Sequence, residues 1–259
     1  MAQGDGKEIA FHEAGSGKAV MLIHGFPMAS GIWKGFTGKL SESFRVITPD
    51  LPGFGESPLP DGAFSIDDIA SMLLRKADAL GIREMVVIGH SLGGYVTLAM
   101  VNQDPARFAG FGLFHSTALP DTEEKKEARN KAITFIGTNG AEAYSSNFVT
   151  PLFADSNHPD VPFVRELNIR ANAETLVGYL KAMRDRPDRT GVLQSFPRPI
   201  LFIAGSEDPV IPPFDVRRQA EAASQAVFYE LEHQAHMALV EDVPATSSHV
   251  YDFVLRCYE

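Results

Sequence analysis

The sequence predicts an α/β domain with a mostly parallel sheet covered on both faces and a helical insertion. Three observations carry this. Apolar runs of strand length alternate with amphipathic stretches of helix length through the first half, the rhythm of repeated β-α-β units. That rhythm stops after Phe114 and returns near residue 199. The 259 residues suit one such domain with an insertion rather than two independent cores.

The elements follow in order. Residues 8–13 with the Gly15-Ser16-Gly17 turn read as a leading antiparallel hairpin. Core strands are expected at 19–23, 45–48, 85–88 and 108–114. Ile66, Ile69, Leu73, Ala77 and Leu80 fall on one helical face, with Ser65 and Asp68 spaced as a capping box and Gly81 as the stop. A helix is expected over 92–103. Residues 117–195 show helical periodicity, with breaks expected at Gly137, Gly140, Pro151, Pro159, Pro162 and Pro187, and no convincing strand. Within them, 122–136 place acids in the first turn and bases after them, as the helix dipole favours. Strands resume at 199–204 and 226–231, and a helix at 244–257 closes the fold. The expected division is a core of 1–116 and 196–259 with a helical cap of 117–195.

The balance of 23 basic against 33 acidic side chains, formal charge −10, makes nucleic acid and anionic membranes poor partners. No apolar stretch has signal-peptide or membrane-spanning character, which sets the expectation of a soluble cytoplasmic protein. Cys257 is the single cysteine, so no internal disulfide forms and a cysteine metal cluster is excluded.

Chemistry enters at Gly89-His90-Ser91-Leu92-Gly93, a G-x-S-x-G between an expected strand and an expected helix. A serine hydroxyl is a weak nucleophile, so it needs a histidine to take its proton and a carboxylate to orient that histidine. The flanking glycines permit the sharp turn that would expose Ser91. A second signal, Leu22-Ile23-His24-Gly25-Phe26-Pro27, ends another core strand in a loop whose backbone could face the serine; alone, His24-Gly25 also reads as an ordinary turn.

With both motifs in view, the chain resembles the α/β-hydrolase superfamily, in particular its members with an H-G-F-P oxyanion loop and a helical cap, over nearly its whole length. The resemblance implies the order serine, acid, histidine. It assigns the acid to Asp208 in Ala204-Gly205-Ser206-Glu207-Asp208-Pro209, and the histidine to His236 in His233-Gln234-Ala235-His236-Met237. Glu207, Asp215 and Asp121 are rival acids and His233 a rival histidine. The family shows Gly-His where this chain has Ala235-His236. A His233/His236 metal pair is not expected, since no third ligand clusters with them.

The resemblance further implies the N–H groups of Phe26 and Leu92 as oxyanion donors. It leaves a pocket drawn from His24, Trp33, His90 and Met237 of the core and from Phe148 and Phe153 among the cap's many apolar side chains. Arg165, Arg170, Arg184, Arg186 and Arg189 read as solvated ion pairs. Relatives of this fold that open epoxides or remove halides attack with aspartate, so the serine at position 91 disfavours both. The expectation is a cofactor-independent serine hydrolase, carboxylesterase-like, acting on a small to medium, apolar ester or related carbonyl compound. The same triad would serve lactone opening, C–C hydrolysis or acyl transfer, and a ligand-sensing protein with vestigial turnover is the reading from a different class.

Overall fold

The computed structural model describes residues 9–259 apart from Arg170 and the side chain of Ile169. Seven strands form one sheet: β1 (Phe11–Ala14), β2 (Ala19–Ile23), β3 (Arg45–Pro49), β4 (Met85–His90), β5 (Phe108–Phe114), β6 (Ile200–Gly205) and β7 (Ala226–Leu231). Their spatial order is β1-β3-β2-β4-β5-β6-β7, parallel throughout except for β1. Among the described residues, ten α-helices accompany them: α1 (Lys34–Leu40), α2 (Ile66–Ala79), α3 (Leu92–Gln103), α4 (Glu123–Phe148), α5 (Val161–Ile169), α6 (Ala173–Arg184), α7 (Thr190–Ser195), α8 (Pro213–Ala222), α9 (Ala238–Glu241) and α10 (Val243–Tyr258).

Both faces of the sheet are buried, and strand alternation sorts side chains between two cores. Met21, Ile23, Met85, Val87, Phe202 and Ala204 pack with α2, α3 and α8 on one face. Val20, Leu22, Val86, Ile88, Leu201 and Ile203 pack with α1 and α10 on the other. Helix α3 lies so deep that every residue from Leu92 to Val101 is buried, which is why it carries no polar stripe. Helix α2 starts as the sequence requires. Ser65 Oγ accepts from the Asp68 N–H at 3.1 Å and Asp68 Oδ2 accepts from the Ser65 N–H at 2.8 Å.

Two expectations change. The leading strand does not pair with the one that follows it: β1 lies antiparallel on β3, Phe11 opposite Pro49, because β2 is already flanked by β3 and β4. Glu8, the start of that expected hairpin, lies outside the described residues. The helix expected to break at Gly137 runs through it and breaks at Gly140, where φ is 87°. Among the described residues, 117–195 contain helices and turns and no strand. Helix α7 packs against α3 and α8, so the chain has rejoined the sheet layer before residue 195. No helix of the described residues is long and apolar enough to cross a membrane.

Candidate active site

In a parallel sheet, functional groups gather where strands end and helices begin. Here the C-terminal ends of β2, β4, β5, β6 and β7 supply His24–Pro27, Ser91, His115, Asp208 and His236.

Ser91 stands between β4 and α3 with φ 50° and ψ −114°, backbone that a side-chain-bearing residue rarely adopts. Its neighbours hold it there. The Ser91 N–H donates to Phe114 O at 2.9 Å, while Ser91 O accepts from Gly94 N–H at 2.9 Å and from Ser116 Oγ at 2.7 Å. The turn is possible because position 93 is glycine: a Cβ there would stand 2.2 Å from Ile23 O. The same packing sets the next loop. A Cβ at Gly25 would stand 2.6 Å from His90 Nδ1 and 3.3 Å from Ser91 Cβ, so the 24–27 loop lies directly against the serine.

That loop turns from Gly25 O to the Met28 N–H at 3.0 Å, with the Phe26–Pro27 peptide cis. Leu92 N–H, at the first residue of α3, lacks an intrahelical acceptor. His24 props the loop from behind. Its Nε2 accepts from the Leu51 N–H at 2.9 Å and its Nδ1 donates to Gly25 O at 2.8 Å, so both nitrogens are spent on backbone. Burial lowers its pKa to about 4 and keeps the ring neutral.

Asp208 and His236 meet. His236 Nδ1 donates to Asp208 Oδ2 at 2.8 Å, and Asp208 Oδ1 accepts the N–H groups of Val210 at 2.8 Å and Ile211 at 2.9 Å. Burial works against this carboxylate, yet the imidazole bonds outweigh it and hold Asp208 well below the usual carboxylate range. His236 is 3% exposed, and its N–H is anchored to Leu152 O of the insertion at 2.9 Å. With Nδ1 engaged, Nε2 is the ring's remaining nitrogen.

The rivals lie elsewhere. His233 and Glu207 pair with each other at 3.3 Å at the surface, their side chains 87% and 52% exposed. Asp121 is buried under the insertion, bonded by Arg129 and by Arg186 Nη1. Arg186 therefore departs from the solvated ion pair expected of it: it is 8% exposed, donates to Asp121, Met183 O and Leu119 O, and lies 3.9 Å over the Tyr95 ring. Two guanidiniums on one carboxylate hold the two ends of the insertion together.

The expected pocket residues separate. Phe26 meets Phe148, Tyr144, Tyr179 and Phe54 at centroid distances of 5.8 to 6.5 Å, an aromatic wall that joins the oxyanion loop to the insertion. Trp33, Phe153 and Met237 belong to the opposite core: Trp33 is fully buried against Phe36 and Phe114, and Phe153 stacks on His158. His90 donates from Nε2 to His236 O at 2.9 Å, tying the serine turn to the histidine loop.

One residue had no signal beyond its place after a core strand. His115, fully buried at φ 49°, brings Nδ1 to 3.1 Å from Asp208 Oδ2. The His233/His236 pair considered in the sequence does not form; instead the ligand-capable atoms of His115, Asp208 and His236 lie within 4.8 Å of one another. The 2.8 Å contact is an N–H···O bond, so hydrogen bonding accounts for the His236–Asp208 spacing.

A parallel sheet, a serine on a strained turn after its central strand and a buried acid–histidine pair define a class of α/β enzymes. A family model for the alpha/beta hydrolase fold matches residues 18–243, and the chain belongs to that family. It is 26% identical over 253 residues to the pimeloyl-[acyl-carrier protein] methyl ester esterase of Methylococcus capsulatus, covering 93% of this chain and 96% of that protein. It is also 26% identical over 264 residues to the 2-hydroxymuconate semialdehyde hydrolase of Pseudomonas sp., covering 94% and 89%. The solved structure of a thermophilic esterase from Thermogutta terrifontis superposes with a TM-score of 0.92 at 29% identity, covering 97% of this chain and 94% of that one.

Proposed function

We propose that the protein is a serine hydrolase that cleaves a small to medium, largely apolar ester or related carbonyl compound through an acyl-enzyme. The observation that carries this reading is the serine held at positive φ together with the buried Asp208–His236 pair, whose ring is engaged through Nδ1.

In this reading, Ser91 Oγ forms a bond to the carbonyl carbon while its proton passes to Nε2 of His236. Asp208 fixes the ring through Nδ1 and stabilises the imidazolium. The N–H groups of Phe26 and Leu92 stabilise the oxyanion, each worth about 3 to 4 kcal/mol by analogy with such donors. Collapse expels the alcohol, which takes the proton from His236. Water then adds to the acyl carbon by the same route and releases the acid and free Ser91. The chain's own groups complete the proton inventory, so the reading invokes no metal or cofactor. Phe148, Tyr144 and Tyr179 around Phe26 form an apolar wall suited to an acyl or alkyl chain.

The test is a titration with a fluorophosphonate probe, with the modified residue mapped by mass spectrometry and p-nitrophenyl esters of increasing acyl length run in parallel. Stoichiometric labelling at Ser91 with turnover is expected, and Ser91→Ala keeps the fold while losing nearly all activity. Esterase activity retained in clean Ser91→Ala protein would sink the assignment.

A further inference from the structure

Asp208 Oδ2 receives two imidazoles, and the chemistry above uses only one. His236 Nδ1 is 2.8 Å away and His115 Nδ1 3.1 Å away, the latter off the line of a well-formed hydrogen bond. A carboxylate only accepts, so the nitrogen that His115 turns toward it is the protonated one. Full burial lowers the His115 pKa, which leaves the ring neutral with its proton on Nδ1 and its lone pair on Nε2.

His115 is also built into place. Its N–H donates to Ile203 O at 2.8 Å, bridging β5 to β6, and its φ of 49° is, among the described residues, one of three positive values on non-glycine residues, with Ser91 and His233. A side chain held at that φ, with no exposure, beside the shared oxygen, is the kind of strained position that packing must over-determine. Ring centroids of His90, His115 and His236 lie 5.1 to 6.0 Å from one another, so the two imidazoles at the carboxylate pack with a third.

We propose that His115 is a positioning residue of the Asp208–His236 pair: its Nδ1–H shares Oδ2 with His236, draws negative charge off that oxygen and keeps the carboxylate aligned with the His236 ring. This rests on the hydrolase reading for its kinetic consequence, though not for its structural one. The sign follows from charge. Without His115, Oδ2 carries more of the negative charge, protonated His236 is better stabilised, and the ring keeps its proton to higher pH. The groups that face His236 are Asp208, His115 and His90, with Glu241 behind the loop accepting from the N–H group of Ala154 at 2.7 Å and His158 acting on Glu241. Of these, His115 alone shares an oxygen with the His236 proton.

The experiment compares the wild type with His115→Ala, which removes the donor, and His115→Asn, which keeps an N–H near the Nδ1 position and tolerates positive φ. Two readouts are followed against pH: the downfield proton resonance of His236 Nδ1–H, and kcat/KM for a p-nitrophenyl ester. In His115→Ala, both midpoints are expected to move up by about 0.5 to 1 pH unit, and kcat/KM on the acid limb, below both midpoints, to fall about three- to tenfold. His115→Asn is expected to return both most of the way. Unchanged midpoints in folded His115→Ala, a downward shift, or equal behaviour of the two variants would overturn the proposal. If His115→Ala does not fold, His115→Gln, whose amide sits one carbon further out, replaces it under the same criteria. Should the wild type hydrolyse no ester, the resonance still decides the role of His115, so that failure belongs to the hydrolase reading alone.

Discussion

Of the three aspartates buried among the described residues, Asp208 and Asp121 keep the most different company. Asp208 is surrounded by imidazoles and backbone N–H groups; Asp121 is surrounded by Arg129 and Arg186. Both are held below their ordinary pKa against the opposing effect of burial. An imidazole can give up or take a proton near neutral pH, whereas a guanidinium cannot. The environment of Asp208 is therefore suited to moving a proton, and that of Asp121 to holding a fixed charge. Burial does not distinguish the two sites; the partners do. The position of Asp121 after β5, which made it a rival acid in the sequence, is used here to seat the helical insertion.

The sharpest way to break this comparison is to neutralise each acid in turn. Asp208→Asn is expected to lower kcat by about four orders of magnitude, because the amide no longer holds His236 in the required tautomer, while the protein stays folded. Activity within tenfold of wild type would remove Asp208 from the proposed mechanism. Asp121→Asn should do the reverse. It leaves two arginines without their counter-charge, so denaturant unfolding should show a loss of about 3 to 5 kcal/mol, with turnover per folded molecule nearly intact. A next, smaller effect is expected of Arg186→Met, which keeps the Asp121–Arg129 pair but loses the stacking on Tyr95 and the bonds to Leu119 O and Met183 O. A loss of about 2 to 3 kcal/mol by the same assay is expected.

Acid titration sharpens the contrast further, since the buried histidines and carboxylates act in successive windows. His24, His90 and His115 have folded pKa values lowered by burial, so the unfolded chain binds their protons first. Stability then declines as pH falls below about 6.5, by up to about 1.4 kcal/mol per pH unit for each such group, and for His24 continues to about 4. Asp121 and Asp208, also lowered, contribute stability that is complete above the unfolded carboxylate pKa and is lost only as pH falls through their folded values. Urea unfolding across this range should show a first decline assigned to histidine, reduced in His24→Asn, before the carboxylate decline begins. A flat profile between pH 6.5 and pH 5 would contradict the buried neutral histidines.

Much of this molecule was legible from local pattern. Apolar runs of strand length marked β2, β5 and β7 to the residue, and the Ser65–Asp68 capping box marked the start of α2, because these depend on neighbours within one turn or one strand. The serine turn was legible for the same reason, since its glycines answer a steric demand that is local in sequence. Residues 24–27, 208 and 236 were nameable by resemblance, and the structure brings Asp208 and His236 to 2.8 Å across 28 positions. The aromatic wall was less so: Trp33, Phe153 and Met237 could be listed beside Phe148, but the side of the sheet that each one joins depends on how the insertion folds back.

The sequence by itself determined the parallel sheet, the strained turn at Ser91 and the helical character of the insertion, since each follows from residue spacing and backbone sterics within a short window. Only the tertiary structure decided that β1 would pair with β3, that Arg129 and Arg186 would converge on Asp121, and that His115 would share an oxygen with His236. Those are meetings between groups distant along the chain, set by which edges and faces remain free once the sheet has closed and by the need of every buried charge for a partner.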